Sequence, residues 1–355
     1  MRRLVCALGA ATVILSGTVR TVEAPGTPGT AAASDPADGF TIEDERITES
    51  SGLAASRAHP GVYWTHNDSD DGPYVYAVDG RTGRTVATVT LAGVAPRDVE
   101  AISVGPGGVH VGDIGDNFGG RWTEVWIHRF AEPEELGDRT VEATRHTVRY
   151  ADGPRDAESL AVHPVTGRVY IVSKEKGGGA LYAGPEELSA SGTNVFTRVA
   201  EIDLWATDAA FSPDGTRLAV RGYFGGTLYA WEDGRPRELG PLTVPVQRQG
   251  ESVAFTPDGR TLLYGTEGER GAVQPMPLAD EFLPESARRE DRSGDGGEGG
   301  DGKATGRDDT AAGGTDGSES GGTVGLGLVL AVGAVLFLVL RRSGRRSGRP
   351  GGGTG

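Results

Sequence analysis

Between residues 39 and 283, apolar positions alternate with polar ones in short runs, broken by Gly, Pro and Asp, and helical periodicity is nearly absent. This is the pattern of an all-β chain. The runs also repeat. Five first strands begin at Ser51, Glu100, Glu158, Thr207 and Glu251, spaced 49, 58, 49 and 44 residues apart. Each ends in a turn, such as Ser212-Pro213-Asp214-Gly215 or Thr256-Pro257-Asp258-Gly259, where Pro presets one dihedral and Gly supplies positive φ. Second strands follow at 62–65, 109–112, 168–172, 217–220 and 261–265, and third strands at 74–78, 123–130, 180–183, 227–231 and 272–276. Fourth strands are visible in the first four units only, for example at 85–91 and 143–150.

A repeat of this length is that of four-stranded propeller blades. The pattern therefore predicts a single β-propeller over residues 39–285, with five blades, or six if the 58-residue unit hides extra structure. The fifth unit lacks a fourth strand, while residues 40–47 form an orphan strand before the first. Placing the orphan in the fifth blade closes the ring and removes both free edges.

The two ends change the picture. Arg2 and Arg3 precede an apolar run, and Val22-Glu23-Ala24 suits signal peptidase, so residues 1–24 read as a signal peptide. Residues 25–38 read as a flexible spacer and 286–322, dominated by Gly, Asp, Glu, Ser and Arg, as a disordered stalk. Residues 323–340 carry no charge and are followed by five arginines in the basic tail 341–355. That predicts one transmembrane helix with a cytoplasmic C-terminus and the propeller outside the cell. The alternative is a sorting signal, with the protein processed and released or wall-associated, although no LPxTG sequence precedes the run. The single cysteine, Cys6, lies in the leader, so the mature domain has no disulfide. With 35 basic against 50 acidic residues, a nucleic-acid partner is disfavoured; the expected partners are the membrane and an extracellular ligand or protein.

The acids recur at one place. Pro96-Arg97-Asp98-Val99-Glu100 returns as Pro154-Arg155-Asp156-Ala157-Glu158, each before an apolar first strand. In a propeller the start of the first strand and the end of the second share one face of the disc. That face would collect Glu49, His66, Asp68, Asp98, Glu100, Asp156, Glu158, Lys174, Arg221, Glu251 and Glu267 around the channel, a candidate ligand-binding surface. Crowded carboxylates must be paired, protonated or bound to a cation. Salt bridges with Arg97, Arg155, Lys174, Arg221 and Arg248 would satisfy them without any ligand. Otherwise a hard cation, calcium being the candidate cofactor, would suit oxygen-only ligands. Gly112-Asp113-Ile114-Gly115-Asp116-Asn117 is the richest single segment, which makes Asp113, Asp116 and Asn117 the candidate metal ligands. Gly250-Glu251-Ser252-Val253-Ala254 lacks the closing Gly of a nucleophile elbow, and the six histidines show no metal-binding pair on a helix.

The Ser212-Pro213-Asp214-Gly215 and Thr256-Pro257-Asp258-Gly259 turns, each after an apolar strand, resemble those of TolB-like and WD-repeat-like propellers of secreted bacterial proteins. The Glu49-Ser50-Ser51-Gly52-Leu53 start, His66-Asn67-Asp68 and the Asp-x-Glu starts are similar to the phytase-like propeller group. The resemblance implies the fold. It also implies an alternative to a binding module, a calcium-dependent phosphoester hydrolase in which Lys174, Arg221 and Arg248 hold phosphate oxygens beside the metal.

Overall fold

The computed structural model describes residues 38–68 and 71–294. Across them the chain is all-β apart from one short 3-10 turn and one helix, with 21 strands. The first strand, β1 (Phe40–Thr41), is followed by four consecutive antiparallel strands, β2 (Ser50–Ala55), β3 (Val62–Asn67), β4 (Tyr74–Asp79) and β5 (Thr85–Ala92). The second unit is β6 (Val99–Gly105), β7 (Gly108–Asp113), β8 (Val125–Phe130) and β10 (Thr144–Tyr150), with β9 (Arg139–Glu142) interposed before the last. The third is β11 (Ala157–Val162), β12 (Val169–Ser173), β13 (Gly179–Ala183) and β14 (Thr193–Ile202). The fourth is β15 (Ala206–Phe211), β16 (Arg217–Gly222), β17 (Gly226–Glu232) and β18 (Arg235–Leu242). The fifth has β19 (Gly250–Phe255), β20 (Thr261–Thr266) and β21 (Ala272–Pro277), and its outer place is taken by β1, with Phe40 opposite Val273.

The first strands pack in a cycle: β2 on β6, β6 on β11, β11 on β15, β15 on β19 and β19 back on β2. The architecture is therefore propeller-like, and the N-terminal strand closes it as the unpaired fifth unit predicts. Burial explains the cycle. Five apolar clusters are each shared by two neighbouring units, for example Trp64, Val75 and Val89 of the first with Ile102, Val111 and Phe130 of the second. A unit with both faces apolar cannot stand alone and must be sandwiched by its neighbours.

The long second unit contains no sixth blade. Its additional strand, β9, pairs in parallel with β5 and extends the outer edge of the first unit, Val89 lying opposite Arg139. The outer strands β10 and β14 also pair in parallel, from Thr147↔Thr193 to Tyr150↔Phe196, joining the second and third units into one eight-stranded sheet. Both devices cover edges that would otherwise offer unpaired backbone groups.

Glu132, just beyond β8, fastens the second unit to the first. Its carboxylate accepts from Ser56 Oγ at 2.6 Å, Trp64 Nε1 at 2.8 Å and the backbone N–H groups of Arg57 and Ala58. Replacing Glu132 with Ala leaves a buried indole N–H without a partner. The expected loss is about 2–3 kcal/mol of stability, read as a lower urea midpoint at unchanged slope.

The ordered chain runs further than composition suggests. Residues 285–294, nearly all assigned to the stalk, form the helix α1 (Glu285–Gly294). Its first turn is capped from the fourth unit, Ser286 N–H donating to Asp214 Oδ2 at 2.9 Å, and Ala287 is fully buried. Arg260 holds the other end through Asp291 at 2.7 Å. The segment is thus ordered by tertiary contacts that its own composition does not reveal. Both anchoring residues belong to turns at the far ends of the first strands, so α1 leaves the acidic face uncovered. Among the described residues no helix is long and apolar enough to cross a membrane, and residues 1–24, nearly all of the spacer 25–38, most of the stalk and 323–355 lie outside them.

Candidate ligand and cation site

All five first strands share one irregularity. Their pairing with the second strand slips between Ser50 and Gly52, Val99 and Ala101, Ala157 and Ser159, Ala206 and Asp208, and Gly250 and Ser252. Each slip leaves one residue without a partner: Ser51, Glu100, Glu158, Thr207 and Glu251. A bulge re-aims a side chain out of the ladder. Here it is applied at the same place in every unit, and three of the five bulged residues are carboxylates. All three are buried, Glu100 at 2%, Glu158 at 5% and Glu251 at 3% exposure.

A second set of side chains stands beside them. The residues directly after the last paired position of each second strand are Asp68, Ile114, Lys174, Tyr223 and Glu267. Three are locked to the rim by one recurring backbone bond, Asp68 N–H to Glu49 O, Lys174 N–H to Asp156 O and Glu267 N–H to Gln249 O, at 2.9–3.0 Å. In the second unit the bond shifts by a residue, from Gly115 N–H to Asp98 O at 3.1 Å. Gly115 is required there. A Cβ on it would lie 2.6 Å from the Asp98 carboxylate and 2.7 Å from Glu100 Cγ.

These residues converge electrostatically. Burial, followed by the charge of Asp68, raises the carboxyl of Asp98 to about 6 and that of Glu100 well above the usual range. Burial also raises Glu251 to about 7, despite Lys174 and Arg221 pulling it down. Glu267 rises to about 8, through burial and then Glu251, Asp68 and Glu49, and Asp156 rises through burial. The charge that opposes them most is Lys174, whose ammonium forms an ion pair with Glu158 and lies 5.4 Å from the Tyr223 ring. Tyr223 acts on Glu251 in the lowering direction, and Gln249 Nε2 donates to Glu267.

One part of this cluster has the geometry of a cation site. Carboxylate oxygens of Asp68, Asp98 and Glu100 all lie within 4.8 Å of one another. Oxygens around one calcium ion at about 2.4 Å are separated by no more than about twice that distance. Glu100 also has a buried Oε1 with no hydrogen-bond partner. A buried carboxylate oxygen left in that state is costly unless a cation or proton meets it. The donor set, three hard oxygens, suits calcium.

The segment that composition favours for the metal is engaged largely by backbone groups, although Asp116 keeps one buried oxygen, Oδ1, without a hydrogen-bond partner. Asp113 is fully buried, and its two oxygens accept the backbone N–H groups of Asp98 at 2.9 Å and Arg97 at 3.1 Å. Asp116 accepts from Trp122 N–H at 2.5 Å, while its own N–H donates to Asp156 Oδ1 at 2.8 Å. Asn117 Nδ2 reaches Asp98 Oδ2 at 3.5 Å. These residues hold Asp98 and Asp156 in place. The carboxylates that converge are the ones they position.

His66 and Arg221 are the other departures. They occupy the same register position, opposite Gly52 and Asp208, one pleat away from the mouth set. Residues two apart share one face of a strand, so burial and bonding partners, not alternation, keep these two from the channel. His66 is fully buried; its Nδ1 bonds to Asn67 O, its Nε2 lies beside Gly52 and Ile102, and burial lowers it to about 4. Arg221 is also fully buried, donating to Ser252 O, Gly265 O and Gln247 Oε1 of the fifth unit. Glu49 is exposed on the outer rim. Tyr223 belongs to the mouth, and the repeat alignment carries the signal for it, since it fills the position of Asp68 and Lys174.

No known protein family matches the chain, and no curated protein matches it. Among solved structures, it is similar to a candidate 6-phosphogluconolactonase from Bacteroides uniformis, at 13% identity and a TM-score of 0.39, over 66% of this chain and 69% of that one. It is similar to the PQQ-bound aldose sugar dehydrogenase of Streptomyces coelicolor, at 13% identity and a TM-score of 0.38, over 69% of this chain and 99% of that one. A third likeness is to U3-55K, at 11% identity and a TM-score of 0.37, with the same coverages.

Proposed function

We propose that this chain is a membrane-anchored extracellular five-bladed propeller that binds a ligand at its acidic channel face, with calcium held by Asp68, Asp98 and Glu100. The observation that carries the reading is the buried, unpartnered Glu100 Oε1 within reach of two further carboxylates. A bound divalent ion would relieve their repulsion and present open coordination positions to an extracellular ligand. The apolar run at 323–340, with five arginines after it, supports display outside the cell. Protease added to intact cells would then remove the propeller, and its survival would overturn the outward placement.

The cation is tested by equilibrium dialysis against calcium with Glu100→Gln, which keeps the shape and removes the charge. We expect at least a hundredfold weaker calcium binding than the native chain, with Glu49→Gln near native. Equal affinity in native and Glu100→Gln would remove the site. The phosphoester hydrolase reading has less support, because its expected phosphate-holding cations are engaged. Lys174 is paired with Glu158 and Arg221 is buried against backbone carbonyls, leaving the exposed Arg248.

A further inference from the structure

The opposite mouth of the ring is chemically unlike the acidic one. A cavity of about 350 Å³ opens there, lined from all five units by residues such as Leu53, Ile102, Val162, Ala210 and Phe255. Its size lies at the lower end of small-molecule sites, which are mostly apolar with a few placed polar groups. One strand position contributes to the space, although the third unit's residue there, Ala161, is not in the lining. The fifth residue of each first strand is Ala54, Ser103, Ala161, Ala210 or Ala254, small in every unit. Small residues here also let the strands approach each other, so the position alone marks no site. The polar groups of the lining decide the matter.

Three serines line the cavity and all are engaged. Ser56 Oγ donates to Glu132, Ser103 Oγ accepts from Val162 N–H, and Ser212 Oγ donates to Asp214. The lining contains a single charged residue, Arg57. Its guanidinium reaches from the first unit to the third, Nη1 donating to Pro164 O at 3.0 Å across the rim. That carbonyl is neutral, and Glu132 meets the Arg57 backbone N–H instead of its side chain. An apolar pocket whose rim carries one arginine, planar and forked, matches an apolar body with a carboxylate head.

We propose that this half of the channel is a second ligand site, taking a small amphiphilic monocarboxylate with its apolar body among the first strands and its carboxylate on Arg57. The site is separate from the acidic face and does not depend on calcium there. It divides the ring into two chemically distinct mouths, one for cations and one for organic anions.

The test uses the full chain and 2-naphthoate as probe, with 2-naphthamide as the uncharged match, followed by saturation-transfer NMR. The expected result is at least a tenfold preference for the carboxylate, unchanged by chelator. Arg57→Met should abolish the preference, leaving weak and equal binding of both probes. Ala210→Phe, at a half-buried lining position, should abolish binding of both. If that variant fails to fold, Ala55→Leu fills the same space from the first unit. Equal affinity of the native chain for the two probes overturns the proposal. So does an absence of naphthoate binding, or binding that survives the filling variant. Calcium binding at the acidic face is read separately, so either site can fail without the other.

Discussion

Without calcium, the chain should become less stable as pH rises from 5 to 8, and calcium should reverse the trend. The carboxyls of Asp98, Glu251 and Glu267 stand at about 6, 7 and 8 in the folded state. In the unfolded chain they return to ordinary values near 4. Between these limits the native state binds more protons than the unfolded one, so stability falls with rising pH. Their contribution is fully present below pH 4 and is lost as pH passes through 6 to 8. The buried Glu251 alone corresponds to on the order of 3 kcal/mol. For a domain of this size each kcal/mol moves the melting temperature by about 2–4 °C, so a fall of about 10 °C is expected. Asp214, held down to about 2 chiefly by backbone N–H groups at Thr216 and Ser286 against the effect of burial, adds the acid limb. It stabilises above the unfolded value and its contribution disappears as pH falls toward 2, which places the optimum of the calcium-free chain near pH 5. A cation at Asp68, Asp98 and Glu100 replaces protons, so millimolar calcium should raise the melting temperature at pH 8 far more than at pH 5. Scanning fluorimetry over this range in EDTA and in calcium decides it. A chelated curve that is flat or rising from pH 5 to 8 contradicts the convergence of these carboxylates.

The architecture was legible because the repeat is short, local and repeated five times. Register between β2 and β3, or β19 and β20, follows from turns whose residues fix their own dihedrals. Closure by residues 40–41 was legible from an unpaired edge. The site was legible as a face and illegible as a set of partners, for a physical reason. The bulge that turns Glu100, Glu158 and Glu251 inward inserts one residue per unit and shifts the strand's alternation by one. The residue pattern puts His66, Asp68 and Arg221 on that face together; that His66 and Arg221 are engaged inside the fold depends on contacts from other units, which the pattern does not carry. Asp113 is a separate case. An aspartate beside glycine can ligate a metal or cap a backbone, and the difference lies in which N–H groups come near. Those of Arg97 and Asp98 are supplied by a segment 15 or more residues earlier.

Lys174→Met should have the largest effect of any single change in the mouth. The lysine stands where the first unit has Asp68 and the fifth has Glu267, and it is paired with the buried Glu158. It also lowers Glu100, Asp156, Glu251 and Glu267 through its charge. Breaking a buried pair from one side leaves an uncompensated charge and costs about 3–5 kcal/mol. The loss should be read by urea unfolding at pH 8 in chelator. Adding Glu158→Gln to Lys174→Met removes the stranded carboxylate and should recover most of it, since a neutral amide needs no counter-charge. Calcium should separate the two roles of the lysine. The single variant has one more free carboxylate than the native chain, so it should bind calcium more tightly and recover stability on its addition. If Lys174→Met is as stable as the native chain in chelator at pH 8, the ion pair is not what holds the third unit's carboxylates within the ring. If it is destabilised yet indifferent to calcium, the acids it leaves behind are not positioned to share a cation, and the mouth is a network of salt bridges alone.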